Sequence, residues 1–362
     1  MPDQRMGKAL SLAACIETQP SSYALLDYDF LPLNLFLPFE HGINPNWARA
    51  REHLVGWVTE NRLVPRDRWD AFRGARFDEL AARTYPHVSL TTLSLVSDFI
   101  AALFTLDDLI DHQASALGSR RNEMESIRSY LEDAIWQRTD SHFAATPYAK
   151  AITMIGVALS DITSRLLRRL PIEHLEGFLS GFSDYLRACV DEALLRHGGR
   201  QSIVSLEEYA ELRIRSAALI PCLEAALISD QIILPTALRE HPSFATMWRA
   251  ANLSVSYTND IFSYNKDVTH GHKTNLLIVL QDIRGLSAEE AFVSAKAIHD
   301  GVVRDYIAAK REMVAEVEDT RVWGFVTTLL ESWMAGSYAW SLPGKNERYT
   351  ECTTLASFTP TP

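Results

Sequence analysis

Apolar side chains recur at intervals of three and four residues along most of this chain. This spacing is typical of amphipathic α-helices, because it places the apolar residues on one face of a helix with 3.6 residues per turn. Alternating apolar and polar positions, which would indicate β-strands, are absent. The pattern predicts an all-α fold with about ten helices. The predicted helices cover roughly residues 46–60, 68–84, 89–113, 120–138, 145–169, 172–197, 205–230, 243–267, 285–316 and 318–341.

Start and stop signals agree with this pattern. Ser205 followed by Glu208, and Ser287 followed by Glu290, are typical of capping boxes at helix N-termini. The 362 residues contain no segment that resembles a linker, so we expect one helical domain over residues 26–349. Residues 1–25 and 350–362 are expected to be loose terminal segments.

Composition excludes several classes of function. The net charge of −11 argues against a nucleic-acid partner, whose binding needs a basic surface. No apolar run reaches the length of a membrane span, so we expect no membrane insertion. The four cysteines are far apart and match neither a zinc site nor a disulfide framework, which favours reduced thiols in a cytoplasmic protein. They are Cys15, Cys189, Cys222 and Cys352.

One polar stripe lies within the predicted helix near residue 260. Asn259, Ser263 and Asp267 recur every four residues, so an amide, a hydroxyl and a carboxylate share one helix face, with Lys266 beside them. Three hard oxygen ligands next to an ammonium group suit a Mg²⁺ ion that also carries a phosphate. Alone, the stripe could equally be a polar helix face with local hydrogen bonds.

A second acidic cluster, Asp107, Asp108 and Asp111, lies about 150 residues earlier. Alone, such a cluster is most often a solvated helix face. Together, however, the two segments resemble the DDxxD motif and the NxxxSxxx(E/D) triad of class I terpene synthases of the microbial type. The resemblance implies that these six residues form the metal site: Asp107, Asp108, Asp111, Asn259, Ser263 and Asp267. Asp108 would orient its neighbours or bond Arg348 instead.

The resemblance extends to an arginine 46 residues before Asn259, at the position of the family's diphosphate sensor. This residue, Arg213, would otherwise be read as part of an exposed helix face. The family pattern also implies that Ser216 and Ala217 act as linker and effector at a helix break. Pro221 supplies a local reason for the break, because it has no N–H to donate to the Ala217 carbonyl.

Near the C-terminus, Arg348 and Tyr349 resemble the pair that bonds the diphosphate as the family's active site closes. The implied diphosphate ligands are therefore Arg213, Lys266, Arg348 and Tyr349. A cavity that guides a carbocation needs aromatic walls, and the candidates are Phe104, Phe99, Trp333 and Trp340. His270 and His272 flank Gly271 in an expected loop and are interpreted as non-ligands.

The resemblance implies a Mg²⁺-dependent cyclase that ionises a prenyl diphosphate, with three metal ions that Mn²⁺ could replace. Farnesyl diphosphate is the first choice of substrate, and geranylgeranyl diphosphate is the alternative. Two further hypotheses are a chain-elongating prenyl diphosphate synthase and a non-catalytic helical scaffold. The sequence leaves the product and the oligomeric state open, a homodimer included.

Overall fold

The computed structural model describes residues 23–31, 33–117, 121–138, 148–196, 202–314, 319–342, 344 and 347–349; for residues 30 and 111–117 only the backbone is described. Fourteen α-helices and no strand lie in these residues. The predicted all-α fold is therefore confirmed. The helices are α1 Trp47–Glu60, α2 Trp69–Ala75, α3 Phe77–Thr84, α4 Leu90–Leu117, α5 Arg121–Ile135, α6 Ala149–Leu167, α7 Glu176–Arg196, α8 Leu206–Ser216, α9 Leu219–Ser229, α10 Thr236–Arg239, α11 Pro242–Thr269, α12 Leu276–Arg284, α13 Ala288–Met313 and α14 Thr320–Ser341.

Two predicted helices are each divided by a residue with left-handed backbone geometry. Arg76 (φ 54°) separates α2 from α3, and Ala218 (φ 53°) separates α8 from α9. The short helices α10 and α12 were not predicted. Helix α12 was missed because its apolar run, Leu276–Leu280, is entirely buried and too short for its period to distinguish a helix from a strand.

The predicted helix starts at Ser205 and Ser287 are confirmed. Ser287 forms a full capping box with Glu290. The Ser205 hydroxyl accepts a hydrogen bond from the Glu208 N–H, but the Glu208 carboxylate accepts from the Val204 N–H instead of closing the box.

Two long helices organise the packing. Helix α11 contacts α8, α12, α13 and α14, while α4 contacts α1, α3, α6, α7 and α9. The candidate site residues of the first acidic cluster lie on α4 and those of the stripe lie on α11. A cavity lies between the two helices, with α14, α7 and the α8–α9 break completing its wall.

A segment before α1 packs along α11. The Asn265 side chain donates to the Leu26 carbonyl and accepts from the Leu26 N–H, both at 2.8 Å. The Tyr264 hydroxyl donates to the Ala24 carbonyl at 2.8 Å. Residues 1–22 and 350–362 lie outside the described residues, so the limits of the expected loose ends stay a prediction.

The described residues also bear on the expectations from composition. Cys189 and Cys222 are buried in the core and are not part of a disulfide, whereas Cys15 and Cys352 lie outside the described part of the chain. Within that part, no helix combines the length and apolarity needed to cross a membrane.

Helices α3 and α14 touch backbone to backbone at Gly336. A Cβ atom added there would lie 2.6 Å from the Arg83 carbonyl oxygen and 3.0 Å from the Thr84 nitrogen. Because backbone cannot move aside as a flexible side chain can, this glycine sets how closely α14 approaches α3.

We predict that Gly336→Ala lowers the free energy of unfolding by about 1–3 kcal/mol, because it overpacks this contact. The matched control is Gly324→Ala in the same helix, where a Cβ meets nothing within 4 Å. There the better helix propensity of alanine should raise stability by about 0.5–1 kcal/mol. Denaturant unfolding of both variants measures the difference, and equal stabilities would contradict the close contact.

Candidate active site

The polar stripe of α11 faces the cavity. Asn259, Ser263, Lys266 and Asp267 all line it, as the four-residue spacing predicted. The Ser263 hydroxyl donates to Asp267 Oδ2 at 2.6 Å, and both side chains are largely buried. The stripe therefore presents three oxygen-bearing groups and an ammonium group to one enclosed space.

The acidic cluster of α4 approaches from the opposite wall and is paired with Arg348. Asp107 lines the cavity and accepts from Arg348 Nη2 at 3.0 Å. Asp108 is more exposed, does not line the cavity, and accepts from Arg348 Nη1 at 2.9 Å. This bond to Arg348 is one of the two roles expected for Asp108. The Asp111 side chain lies outside the described residues.

Arg348 and Tyr349 line the cavity and contact both of its long helices. Tyr349 accepts a hydrogen bond from the Asn259 amide at 2.8 Å, and its ring packs edge-on against Trp340 with centroids 5.6 Å apart. Burial raises the pKa of Tyr349, so its hydroxyl keeps its proton. The Glu347 N–H donates to the Gly74 carbonyl at 3.0 Å and anchors the segment at the end of α2. Through Arg348 and Tyr349, one short segment therefore contacts both α4 and α11.

Arg213 is held by a buried carboxylate that the sequence analysis missed. Its Nε donates to Asp260 Oδ1 at 3.0 Å, and its Nη2 donates to Asn259 Oδ1 at 2.9 Å. Asp260 is fully buried and also accepts from the Tyr209 hydroxyl and, at 3.3 Å, from the Leu276 N–H. Burial raises the pKa of Asp260, while Arg213 and Tyr209 oppose that shift.

The only sequence feature that could have pointed to Asp260 is its position directly after Asn259. One residue along a helix turns the side chain by about 100°, so Asp260 leaves the stripe and faces α8 instead of the cavity. There it meets Arg213, whose pKa would fall through burial but is raised by Asp260 and Tyr209. Periodicity within α11 shows which face Asp260 lies on, but it does not predict that its partner is on α8.

Asn275 fixes the end of the stripe. Its amide nitrogen donates to Asp267 Oδ2 and to the Asp260 carbonyl, each at 2.8 Å. Its oxygen accepts from the Leu277 N–H and caps α12. One buried side chain therefore sets the rotamer of Asp267 and the start of the following helix.

The loop between α11 and α12 brings one histidine to the cavity. His272 lines it, with Nδ1 3.4 Å from Asp267 Oδ1, whereas His270 is exposed. Gly271 has the left-handed geometry that such a tight loop needs (φ 71°). The interpretation of both histidines as non-ligands stays a prediction.

The helix break lies where the sequence placed it. Ser216, Ala217 and Ala218 line the cavity, and the chain reverses its backbone geometry at Ala218. Pro221 is the third residue of α9, where a helix has no internal acceptor for an N–H in any case. No described backbone N–H donates to the Ala217 carbonyl. The unpaired Ala217 carbonyl agrees with the effect expected of Pro221, and the left-handed residue Ala218 lies at the same break.

Three of the four predicted aromatic residues line the cavity: Phe104, Trp333 and Trp340. Phe99 does not, which corrects its assignment. Five residues separate it from Phe104, so the two side chains point about 140° apart, and Phe99 packs instead against Phe178 and Phe182 of α7. Ile100, four residues before Phe104, is the one that faces the cavity.

Helix α7 contributes three cavity residues that were not predicted. Tyr185, Glu192 and Arg196 share one face of this helix, at intervals of seven and four residues. That spacing was available in the sequence, but it does not distinguish a cavity wall from an ordinary packed face. Burial raises the pKa of Tyr185 far above its ordinary value, and its neighbours Cys189 and Asp107 add to the shift.

The donor set fits a hard divalent cation. Asp107, Asn259, Ser263 and Asp267 offer carboxylate, amide and hydroxyl oxygens, which Mg²⁺ prefers. Within the described residues, no three His, Cys, Asp or Glu side chains form a cluster that could hold a metal, so the amide and the hydroxyl are needed to complete the set. The site also places cationic groups, Arg213, Lys266 and Arg348, where an anion could bridge them to metal.

Comparisons with known proteins agree with this geometry. Residues 98–305, more than half of the chain, match the family described as "Terpene synthase family 2, C-terminal metal binding". The chain is 30% identical to (+)-eremophilene synthase of Sorangium cellulosum over 84% of this chain and 89% of that protein. It is 27% identical to (+)-T-muurolol synthase ((2E,6E)-farnesyl diphosphate cyclizing) of Roseiflexus castenholzii, over 88% of this chain and 94% of that one. The crystal structure of a-eudesmol synthase superposes with a TM-score of 0.73 at 23% identity, covering 86% and 99% of the two chains.

We predict that Tyr209→Phe destabilises the fold by about 1.5–3 kcal/mol, because it removes a hydrogen bond to the buried Asp260 carboxylate. The control is Tyr257→Phe, which makes the same chemical change in the ring that stacks on Tyr209 (centroids 6.4 Å apart). Its hydroxyl makes no hydrogen bond with the described residues, so its cost should stay within about 0.5 kcal/mol. Denaturant unfolding compares the two, and equal losses would show that the hydroxyl of Tyr209 has no special role.

Proposed function

The chain belongs to the terpene synthase family, and we propose that it ionises farnesyl diphosphate in a Mg²⁺-dependent reaction and cyclises the resulting cation to a sesquiterpene. Terpene synthases are lyases that act on prenyl diphosphates, and this part follows from the family. The C15 substrate, the metal and the release of pyrophosphate are our proposal. The (+)-T-muurolol synthase relative, whose name specifies farnesyl diphosphate, supports the choice of substrate.

One observation carries the proposal. A single cavity combines oxygen donors from α4 and α11, three cationic side chains, and an apolar wall with Phe104, Trp333 and Trp340. A polar end that can hold a diphosphate and an apolar end that can hold a hydrocarbon chain are what this reaction needs. Neither a nucleic acid nor a peptide would require that combination.

The metal ligands in this proposal are Asp107 on one side and Asn259, Ser263 and Asp267 on the other, with Asp111 expected beside Asp107. Bound Mg²⁺, expected as three ions that Mn²⁺ could replace, would supply Lewis-acid stabilisation of the leaving diphosphate. The residues themselves must first exchange partners. Asp107 gives up Arg348, Asn259 gives up Arg213, and Asp267 gives up the Ser263 hydroxyl.

The cationic side chains released in this exchange can bind the substrate. Arg213 and Arg348 present guanidinium groups that can hold phosphate oxygens with two parallel N–H donors, and Lys266 adds a point charge. Tyr349 contributes a hydroxyl donor. Because these groups bind the departing diphosphate, the allylic C–O bond can break without a protein nucleophile.

The apolar wall protects and steers the cation. Ring faces stabilise a positive charge by roughly 0.5–2 kcal/mol per contact, and Trp333 and Trp340 offer two such faces. The Ala217 carbonyl has no backbone donor at the helix break, and Ala217 lines the cavity, so its dipole would add negative potential to this region. The covering segment around Arg348 and Tyr349 excludes bulk water, which would quench the cation.

The decisive experiment incubates the purified protein with Mg²⁺ and, separately, with the C10, C15, C20 and C25 prenyl diphosphates. We expect pyrophosphate release and sesquiterpenes from the C15 substrate by gas chromatography and mass spectrometry, and no turnover with EDTA. If only the C20 substrate gave cyclic products, the proposed substrate would be geranylgeranyl diphosphate instead of farnesyl diphosphate. A requirement for added isopentenyl diphosphate would indicate chain elongation, and inertness toward all four substrates would leave only a scaffold.

The role of the α11 stripe is tested by Asp267. We predict that Asp267→Ala lowers the rate of pyrophosphate release by roughly 100-fold or more, because it removes a charged metal ligand. Asp267→Glu, which matches the commoner residue of the family motif, should keep measurable activity. The charge-matched control is Asp305→Ala on the exposed face of α13, for which we expect parental rates. Thermal melting must accompany the assay, since a loss that only follows unfolding, or parental turnover by Asp267→Ala, would remove the stripe from the metal site.

A further inference from the structure

A second cavity, of about 430 Å³, lies between α1, the start of α4 and the end of α6. Four basic side chains line it: His53, Arg165, Arg168 and Arg169. It is remote from the candidate active site, because Thr91 in its wall and Asp107 are 16 residues apart on the same helix, or about 24 Å. A concentration of basic groups is unusual in a chain with a net charge of −11.

Two of these arginines, Arg168 and Arg169, have no side-chain partner among the described residues. Among the described residues, no side chain forms a hydrogen bond or an ion pair with the guanidinium of Arg168 or Arg169. The carboxylate influenced by Arg169 is Asp230, which is itself bonded to the Thr92 hydroxyl at 2.5 Å. The two guanidinium groups are therefore available to an external anion.

Two carboxylates next to these basic residues are paired with His53 and Arg165. Asp98, fully buried, accepts from Arg165 Nη1 at 2.8 Å and lies 2.8 Å from His53 Nε2. Asp161 pairs with Arg165 Nε at 3.1 Å. The Nη2 atom of Arg165 has no hydrogen-bond partner in the described residues. Asp98 and Asp161 thus fix Arg165 in place without neutralising Arg168 or Arg169.

The wall of the cavity adds neutral donors. Leu90 and Thr91 are the first two residues of α4, and no described group accepts from their N–H groups. Because Leu90 and Thr91 line the same cavity as the arginines, the positive end of this 28-residue helix lies in its wall. The Ser94 hydroxyl, one turn along, also lines the cavity.

We propose that this cavity is a metal-independent binding site for a phosphate or diphosphate group. Arginine forks and helix N-terminal amides are the two kinds of protein donor that suit phosphate oxygens best, and residues of both kinds line this cavity. The site differs from the candidate active site in chemistry as well as in place, since its wall offers guanidinium and amide donors where the active site offers oxygen ligands for metal. The proposal does not depend on the proposed function.

The test uses the full-length protein in EDTA, so that metal-dependent binding at the active site is suppressed. Isothermal titration calorimetry with inorganic phosphate, pyrophosphate and farnesyl diphosphate measures binding and shows which source of the phosphate group is preferred. We expect Arg168→Ala/Arg169→Ala to weaken binding at least about tenfold. The charge-matched control, Arg66→Ala/Arg321→Ala at exposed positions elsewhere, should bind like the parent.

Two further variants locate the signal. Arg168→Lys/Arg169→Lys keeps both charges and should retain part of the affinity, which separates loss of charge from loss of fold; circular dichroism melting checks the fold directly. Arg348→Gln, in the active site, should leave the binding in EDTA unchanged. The proposal is overturned if the parent does not bind any of the three probes, if the Arg168/Arg169 alanine variant binds as tightly as the parent, or if Arg348→Gln alone abolishes binding.

Discussion

The buried ion pair between Arg213 and Asp260 is the contact on which the geometry of the active site depends. The pair connects α8 with α11. The same Asp260 carboxylate also accepts a hydrogen bond from the Leu276 N–H, which connects it to α12. A buried ion pair gains little over an apolar pair, but losing one partner leaves an unpaired charge and costs about 3–5 kcal/mol. Because Asp260 and the ligand candidate Asn259 are adjacent, and Arg213 bonds both, the position of the sensor arginine and the position of the stripe are determined together.

The acidic side of the cavity is balanced by protein cations. Asp107 and Asp108 are adjacent like charges, and Arg348 bonds both of them while its guanidinium lies 4.6 Å from the centroid of the Phe104 ring. A cation over an aromatic face gains further stabilisation when it is desolvated. Arg348 therefore offsets part of the negative charge that the aspartates of α4 bring to the cavity.

Helix α11 is held on its other face by the segment before α1. The amide of Asn265 pairs with both backbone groups of Leu26, much as a neighbouring strand would, and the Tyr28 hydroxyl donates to the Ile261 carbonyl at 2.6 Å. Residues 261 and 265 lie between the positions of the stripe and face away from it. Contacts on both faces prevent the helix from rotating, so the stripe stays directed at the cavity.

The sequence by itself determined the features that depend on short-range periodicity. Four-residue spacing fixed the common face of Asn259, Ser263 and Asp267, and apolar periodicity fixed the all-α class, because both follow from the geometry of a single helix. The resemblance to microbial terpene synthases then predicted that Asp107, Arg213 and Arg348 share one site, and the structure places all three around one cavity.

Only the tertiary structure decided which groups meet across helices. Asp260 meets Arg213, Asn275 clamps Asp267, and Phe99 turns to α7, because packing partners far apart in sequence leave no periodic trace in either segment. The buried apolar run of α12 was likewise too short to establish a period, and the left-handed turn at Ala218, which no local rule requires of an alanine, lies at the helix break.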